Sequence, residues 1–168
     1  MSLDLADDVA LVTTSSSGLG RASAAVLAEE NANVVLNRRE ETRLDEAITA
    51  IDALGEGSVV GVAGDLTDRR DIEALVNATV EEFGGLDHLV TSTGGPPSGP
   101  FLDTDDEDWY HAFDLLVMSV VRLVHEAAPH FRDGDGGTIV TITSRSVKEA
   151  IDSLAFVALL AAGLALTE

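Results

Sequence analysis

The stretch Val9–Ala22, VALVTTSSSGLGRA, runs from four apolar residues into small and hydroxylated ones. It then passes two glycines spaced Gly-x-Gly, Gly18 and Gly20, and enters a helix-forming pattern. Strand, loop, helix is the order this predicts. Glycines let a backbone approach a diphosphate closely, and the N-terminus of the following helix presents unpaired N–H groups to its charge. A glycine-bearing loop is also an ordinary joint between strand and helix. Its place in the first strand–helix unit of the chain is what points to a nucleotide.

Outward from this stretch, short apolar runs alternate with helix-length amphipathic segments. Strands are predicted at Val9–Thr13, Asn33–Asn37, Ser58–Ala63, Asp87–Thr91 and Thr138–Thr143, and helices at Leu19–Glu30, Glu41–Leu54, Arg69–Phe83 and Glu107–Phe131. Val- and Ile-rich strands alternating with helices imply a parallel sheet covered on both faces. The expected fold class is therefore α/β, a doubly wound, Rossmann-like parallel sheet of about five strands. No linker or internal repeat divides residues 1–168, which are expected to form a single domain. Ligands of such sheets sit just beyond the carboxyl ends of the strands.

The 168 residues carry thirty acidic side chains against ten basic ones, a net charge of -20. Phosphates would be repelled over most of such a surface, which argues against nucleic acid and anionic membranes as partners. The acids are scattered through an ordinary hydrophobic pattern, and Lys148 is the only lysine. This halophilic composition resembles that of proteins from salt-loving archaea, where concentrated salt screens self-repulsion. An acidic protein with a basic partner is the alternative. The absence of cysteine removes disulfides, thiolate nucleophiles and Cys-ligated zinc. His88, His111, His125 and His130 show no ligand spacing with carboxylates, so no metal is expected. Trp109 and the Phe residues read as core. The acidic start MSLDLADD and the lack of a membrane-length apolar run lead to the expectation of a soluble, cytoplasmic protein.

Two segments strengthen the nucleotide reading. NRRE follows the second strand and puts Arg38 and Arg39 where an NAD enzyme would place a carboxylate on the ribose 2′-hydroxyl. Basic residues there favour a 2′-phosphate, though they also read as a solvated charge pair. GDLTD follows the third strand, and its Asp65 could accept a hydrogen bond from an adenine amino group; Asp65 or Asp68 could equally be a helix N-cap. Together these segments resemble the short-chain dehydrogenase/reductase family. TTSSSGLG corresponds to its Thr-Gly-x-x-x-Gly-x-Gly, GDLTD to its adenine-binding Asp, LVTSTGG to its Asn-Asn-Ala-Gly turn, and GTIVTITS to the strand ending in the catalytic serine. TGGPPSGPF and DLLVMSVVRLVHEAAPHF are similar to the 3-oxoacyl-reductase-like branch. The resemblance implies an NADP(H)-preferring oxidoreductase that moves a hydride between nicotinamide and a carbonyl or secondary alcohol. It assigns Ser144 to catalysis and Thr13, Ser15, Ser17, Gly18, Leu19, Gly20, Arg38, Arg39, Asp65, Leu66 and Gly94 to the cofactor.

The chain also departs from the family. A tyrosine with its pKa lowered by a lysine four residues later normally exchanges the proton. Counting on from Ser144, those positions hold Val157 and Ala161, neither of which can transfer one. Leu116 stands at the asparagine of the proton relay, and Tyr110, the only tyrosine, falls where the family places it away from the centre. A Ser144–Lys148 pair is a remote substitute. The alternative function is accordingly a catalytically silent nucleotide-binding or interaction protein. Thr14 replaces the first loop glycine; relatives with alanine there imply a negative φ, at which a β-branched residue costs little. The family adds further strands beyond the helix that ends near Glu168, so an open edge at the fifth strand is expected. The helix 107–131 and the apolar segment 154–166, which has no polar face, are the expected homo-oligomer surfaces.

Overall fold

The computed structural model describes residues 3–95 and 100–144. Five parallel strands, β1 (Val9–Val12), β2 (Asn33–Arg38), β3 (Val59–Ala63), β4 (His88–Thr91) and β5 (Thr138–Thr141), form one sheet in the order β3-β2-β1-β4-β5. The chain winds outward from β1 to β3, returns, and continues through β4 on the other side. The switch point therefore lies between β1 and β4, whose register pairs Leu11 with Leu89. Among the described residues β3 and β5 are the two edges.

The core follows from the period-two alternation of side chains along the central strands. Val12, Val34 and Leu36 point to one face and pack with Ala24 and Ala28 of α1 (Gly18–Glu29) and Leu44 and Ile51 of α2 (Glu41–Asp52). Leu11, Val35 and Leu89 point to the other. There they meet Ile72 and Leu75 of α3 (Arg69–Phe83) and Leu123 and Ala127 of α5 (Ser119–Asp133). Because both faces are covered, β1 is buried at every position. Asp68 caps α3 by accepting from the Arg70 N–H at 2.8 Å, and Gly84, at φ 83, ends that helix in the left-handed conformation.

The helix expected over Glu107–Phe131 is not continuous. α4 (Asp106–Phe113), started by a reciprocal capping box between Asp105 and Asp108, gives way to a π-helical turn at Asp114–Met118 before α5. Ser119 accounts for the break. Its N–H reaches five residues back to the Asp114 carbonyl, while its Oγ donates to the Leu115 carbonyl, the acceptor that an α-helical N–H would have used. A third hydrophobic cluster, apart from those on the two sheet faces, consists of Ala112, Leu116 and Val117 with Trp109 packed against them, and centres on this turn. Phe113 departs from the core expectation: it is 40% exposed. The segment 154–166 and the positions Val157 and Ala161 lie outside the described residues.

Candidate functional site

The carboxyl ends of the strands are stitched together before they open onto any cavity. Thr13 Oγ1 donates to the Ser92 carbonyl at 2.7 Å and accepts from the Ser92 N–H at 2.9 Å, tying β1 to β4. On the other side, the Ser15 N–H donates to the Asn37 carbonyl at 3.0 Å and Ser15 Oγ accepts from the Asn37 N–H at 3.0 Å. The Asn37 amide then donates to the carbonyls of Val62 in β3 and Gly64 just beyond it. Thr13 and Ser15 are completely buried in these bonds, so their side chains shape the loop rather than face its opening.

Thr14 lies between those two ties. Its φ is 48, not the negative value that the resemblance implied. The reversal is geometric: the Thr13 N–H bonds to Val90 on β4 while the Ser15 N–H bonds to Asn37 on β2, and a left-handed residue between them redirects the backbone. For a β-branched residue this costs about 1–3 kcal/mol. Gly20 is required by close approach, because a Cβ there would stand 2.7 Å from the Thr14 carbonyl.

Beyond the ties runs a cleft made of two adjoining cavities. The larger, about 560 Å3, is lined by Asn37, Arg38, Arg39, Gly64, Asp65, Leu66, Thr67, His111 and Leu115. The second, about 390 Å3, is lined by Ser17, Gly18, Leu19, Ser92, Thr93, Leu116, Ile142, Thr143 and Ser144. Thr14, Arg38, Gly94 and Gly95 line both. Every strand thus contributes the residues at or just after its carboxyl end, as an open α/β sheet predicts.

At the far end of the larger cavity Asp65 Oδ1 accepts from the Thr67 N–H at 2.9 Å and from Thr67 Oγ1 at 2.8 Å, while Arg39 Nη1 lies 3.4 Å from Oδ2. Burial alone would raise the Asp65 pKa; the bonds from Thr67, then the Arg39 charge, outweigh it and hold the carboxyl below its ordinary value. Asp65 is therefore an ionised acceptor, and Asp68 rather than Asp65 is the helix cap. Arg39 is drawn toward Asp65, whereas Arg38 lines both cavities where they join. At the other end, Ser144 is the last described residue and sits beside Thr143 on the wall of the second cavity.

A nicotinamide dinucleotide suits this cleft on two observations. The first turn of α1 lines the second cavity, yet Ser17 makes no side-chain cap there and no acidic residue stands in that turn, unlike the capped α3 and α4. Its unpaired N–H groups are those that a diphosphate would take. Gly18, at φ 60, has nothing within 4 Å of a would-be Cβ, so only its backbone conformation calls for glycine. Second, Ser16 Oγ, in the same loop and more than nine-tenths buried, is the one buried side-chain oxygen without a hydrogen-bond partner among the described residues. Nothing in the sequence marks Ser16: in a run of three serines, only geometry separates the one tied to Asn37, the one left over and the one at the helix start. Asn37, Thr67, His111 and Leu115 likewise line the cleft without a sequence signal that singles them out. A period of one helical turn relates His111 and Leu115, but nothing in the residue types marks that face as lining a ligand site.

Residues 8–157 match the family model for short chain dehydrogenase. The chain belongs to the short chain dehydrogenase family. Among curated members it is 34% identical over 142 residues to human dehydrogenase/reductase SDR family member 4, covering 83% of this chain and 50% of that one. The Caenorhabditis elegans protein of the same name is 32% identical over 148 residues, covering 88% and 57%. The chain spans about half the length of the curated relatives it matches. Its fold superposes on L-sorbose reductase from Gluconobacter frateurii, complexed with NADPH and L-sorbose, with TM-score 0.93 at 32% identity, covering 99% of this chain and 64% of that one. A 7α-hydroxysteroid dehydrogenase complexed with NADH superposes with TM-score 0.91 at 28% identity, covering 98% and 64%. The short chain dehydrogenase architecture expected from Val9–Ala22 outward is therefore present over the described residues.

Proposed function

We propose that this short chain dehydrogenase binds NADP(H) along the cleft and serves an oxidoreductase reaction between the nicotinamide and a carbonyl or secondary alcohol. One observation carries the proposal: the residues at the carboxyl ends of all five strands line a single cleft that runs from Arg39 and Asp65, past the uncapped start of α1, to Ser144. When bound, the nicotinamide supplies or accepts the hydride.

Gly18, Leu19 and the buried Ser16 hydroxyl would meet the diphosphate side. Leu66 and Leu115 would enclose the adenine, with Asp65 as acceptor. Arg38 and Arg39 place positive charge where a 2′-phosphate would lie, which supports NADP(H) over NAD(H). Gly94 would border the ribose. Ser144 would donate to the substrate oxygen and favour the charge that gathers on it. Neither Val157 nor Ala161 can deliver the proton, so donation falls to water or to a group outside the family pattern. Tyr110, 74% exposed, and Phe113 on α4 support association of this chain with a second copy. Among the described residues no helix is long and apolar enough to cross a membrane, and a cytoplasmic setting is part of the same proposal.

The test is NADPH binding followed by its oxidation over a panel of ketones and aldehydes in high salt. Binding with turnover supports the whole proposal. Binding without turnover leaves the silent dinucleotide binder that Val157 and Ala161 favour, and no binding removes the proposal altogether.

A further inference from the structure

Arg122, on α5, lines neither cavity of the cleft, yet it holds two segments that do. Its Nη1 donates to the Thr67 carbonyl at 3.1 Å and its Nη2 lies 2.7 Å from Asp114 Oδ1, with the guanidinium side chain 24% exposed. Thr67 belongs to the loop after β3, and Asp114 opens the π-helical turn. These two segments supply separate walls of the larger cavity, Leu66 and Thr67 from the loop and Leu115 from the turn. A guanidinium is a planar fork that stays charged, so a carbonyl and a carboxylate bonded to it are held at a fixed separation. The turn is braced independently by Ser119, buried completely, whose Oγ bonds to the Leu115 carbonyl.

Resting on the dinucleotide site proposed above, we propose that Arg122 is a positioning residue: by tying the Thr67 carbonyl to Asp114 it sets the width of the adenine end of the cleft. It touches no ligand itself. Its effect belongs to the adenine half of the molecule, which 2′,5′-ADP reproduces without any nicotinamide.

The experiment measures 2′,5′-ADP affinity by calorimetry, and amide hydrogen exchange in the ligand-free protein, for the wild type, Arg122→Met, Arg122→Lys and Asp114→Asn. All are compared well below their melting temperatures. Arg122→Met is expected to weaken 2′,5′-ADP about tenfold, the scale of one charge-assisted hydrogen bond. It should also speed exchange in residues 64–67 and 114–116. Arg122→Lys is expected to recover part of the affinity, and Asp114→Asn, which leaves the Thr67 bond in place, to fall between. Unchanged affinity in a folded Arg122→Met would overturn the inference, as would a lowered melting temperature with unchanged 2′,5′-ADP binding. If Arg122→Met does not fold, wild-type affinity in both Arg122→Lys and Asp114→Asn overturns it equally. A wild type that fails to bind 2′,5′-ADP removes the dinucleotide site and this inference together, whereas a wild type that binds while the variants match it removes this inference alone.

Discussion

Thr14 sits at φ 48 because the backbone must turn from β4 toward β2 within one residue, and a β-branched side chain bears that conformation poorly. Thr14→Gly should therefore raise the urea midpoint without changing the m-value. The expected gain is about 1 kcal/mol, being the relieved strain less the extra freedom glycine gives the unfolded chain. A lowered midpoint would show that the threonine is accommodated at no cost. Asp65 gives a second test at this scale. Its folded-state pKa lies below the ordinary 3.8, so its contribution is present above that value and is lost as pH falls through the folded pKa. The stability gap between wild type and Asp65→Asn should be constant near neutrality and close only below about pH 4; a gap that closes near pH 6 would contradict the assignment. The sequence exposed the residue types of this loop but not their orientation. Thr13, Ser15, Ser16 and Ser17 read alike in a string, yet two are consumed in ties to neighbouring strands, one is left without a partner, and one opens a helix.

The five strands and their order of appearance were legible, because Val/Ile-rich runs separated by helical periods leave a parallel sheet as the simple solution, and the described ends fall within two residues of those expected. The interruption of the helix after β4 was not legible. Hydrophobic periodicity carries across Asp114–Met118, and only the bonds made by Ser119, its N–H to the Asp114 carbonyl and its Oγ to the Leu115 carbonyl, show that the backbone shifts to a wider turn there. Connections also carry constraints that composition hides. Gly55, after α2, would place a Cβ 1.8 Å from the Ala28 carbonyl at the end of α1. The two atoms that a Cβ would overlap are both Ala28 backbone, held in α1, rather than the end of a flexible side chain, so Gly55→Ala should cost about 2–3 kcal/mol by thermal or urea denaturation. A cost below about 0.5 kcal/mol, the level of an ordinary surface change, would contradict that packing.

For the molecule as a whole, charge sets the conditions under which the site can work. A net charge of -20 on 168 residues repels itself and any phosphate ligand. Raising potassium chloride from about 0.1 M to 1 M shortens the screening length from about 10 to 3 Å. The melting temperature should rise steadily over that range; a flat or falling profile would show that the acids are already balanced within the fold. Charge also concentrates what little positive potential the cleft has at Arg38 and Arg39, whose position after β2 was evident in the sequence and whose division of labour was not. Arg39 leans on Asp65 while Arg38 stands at the junction of the two cavities. As proposed above, this cleft would grip a dinucleotide with its 2′-phosphate beside those arginines. Parallel fluorescence titrations of the protein in high salt with NADPH and NADH test it most directly. Both should bind saturably, with NADPH the tighter and its advantage lost in Arg38→Ala; no saturable binding of either, or tighter binding of NADH, would rule out such a site.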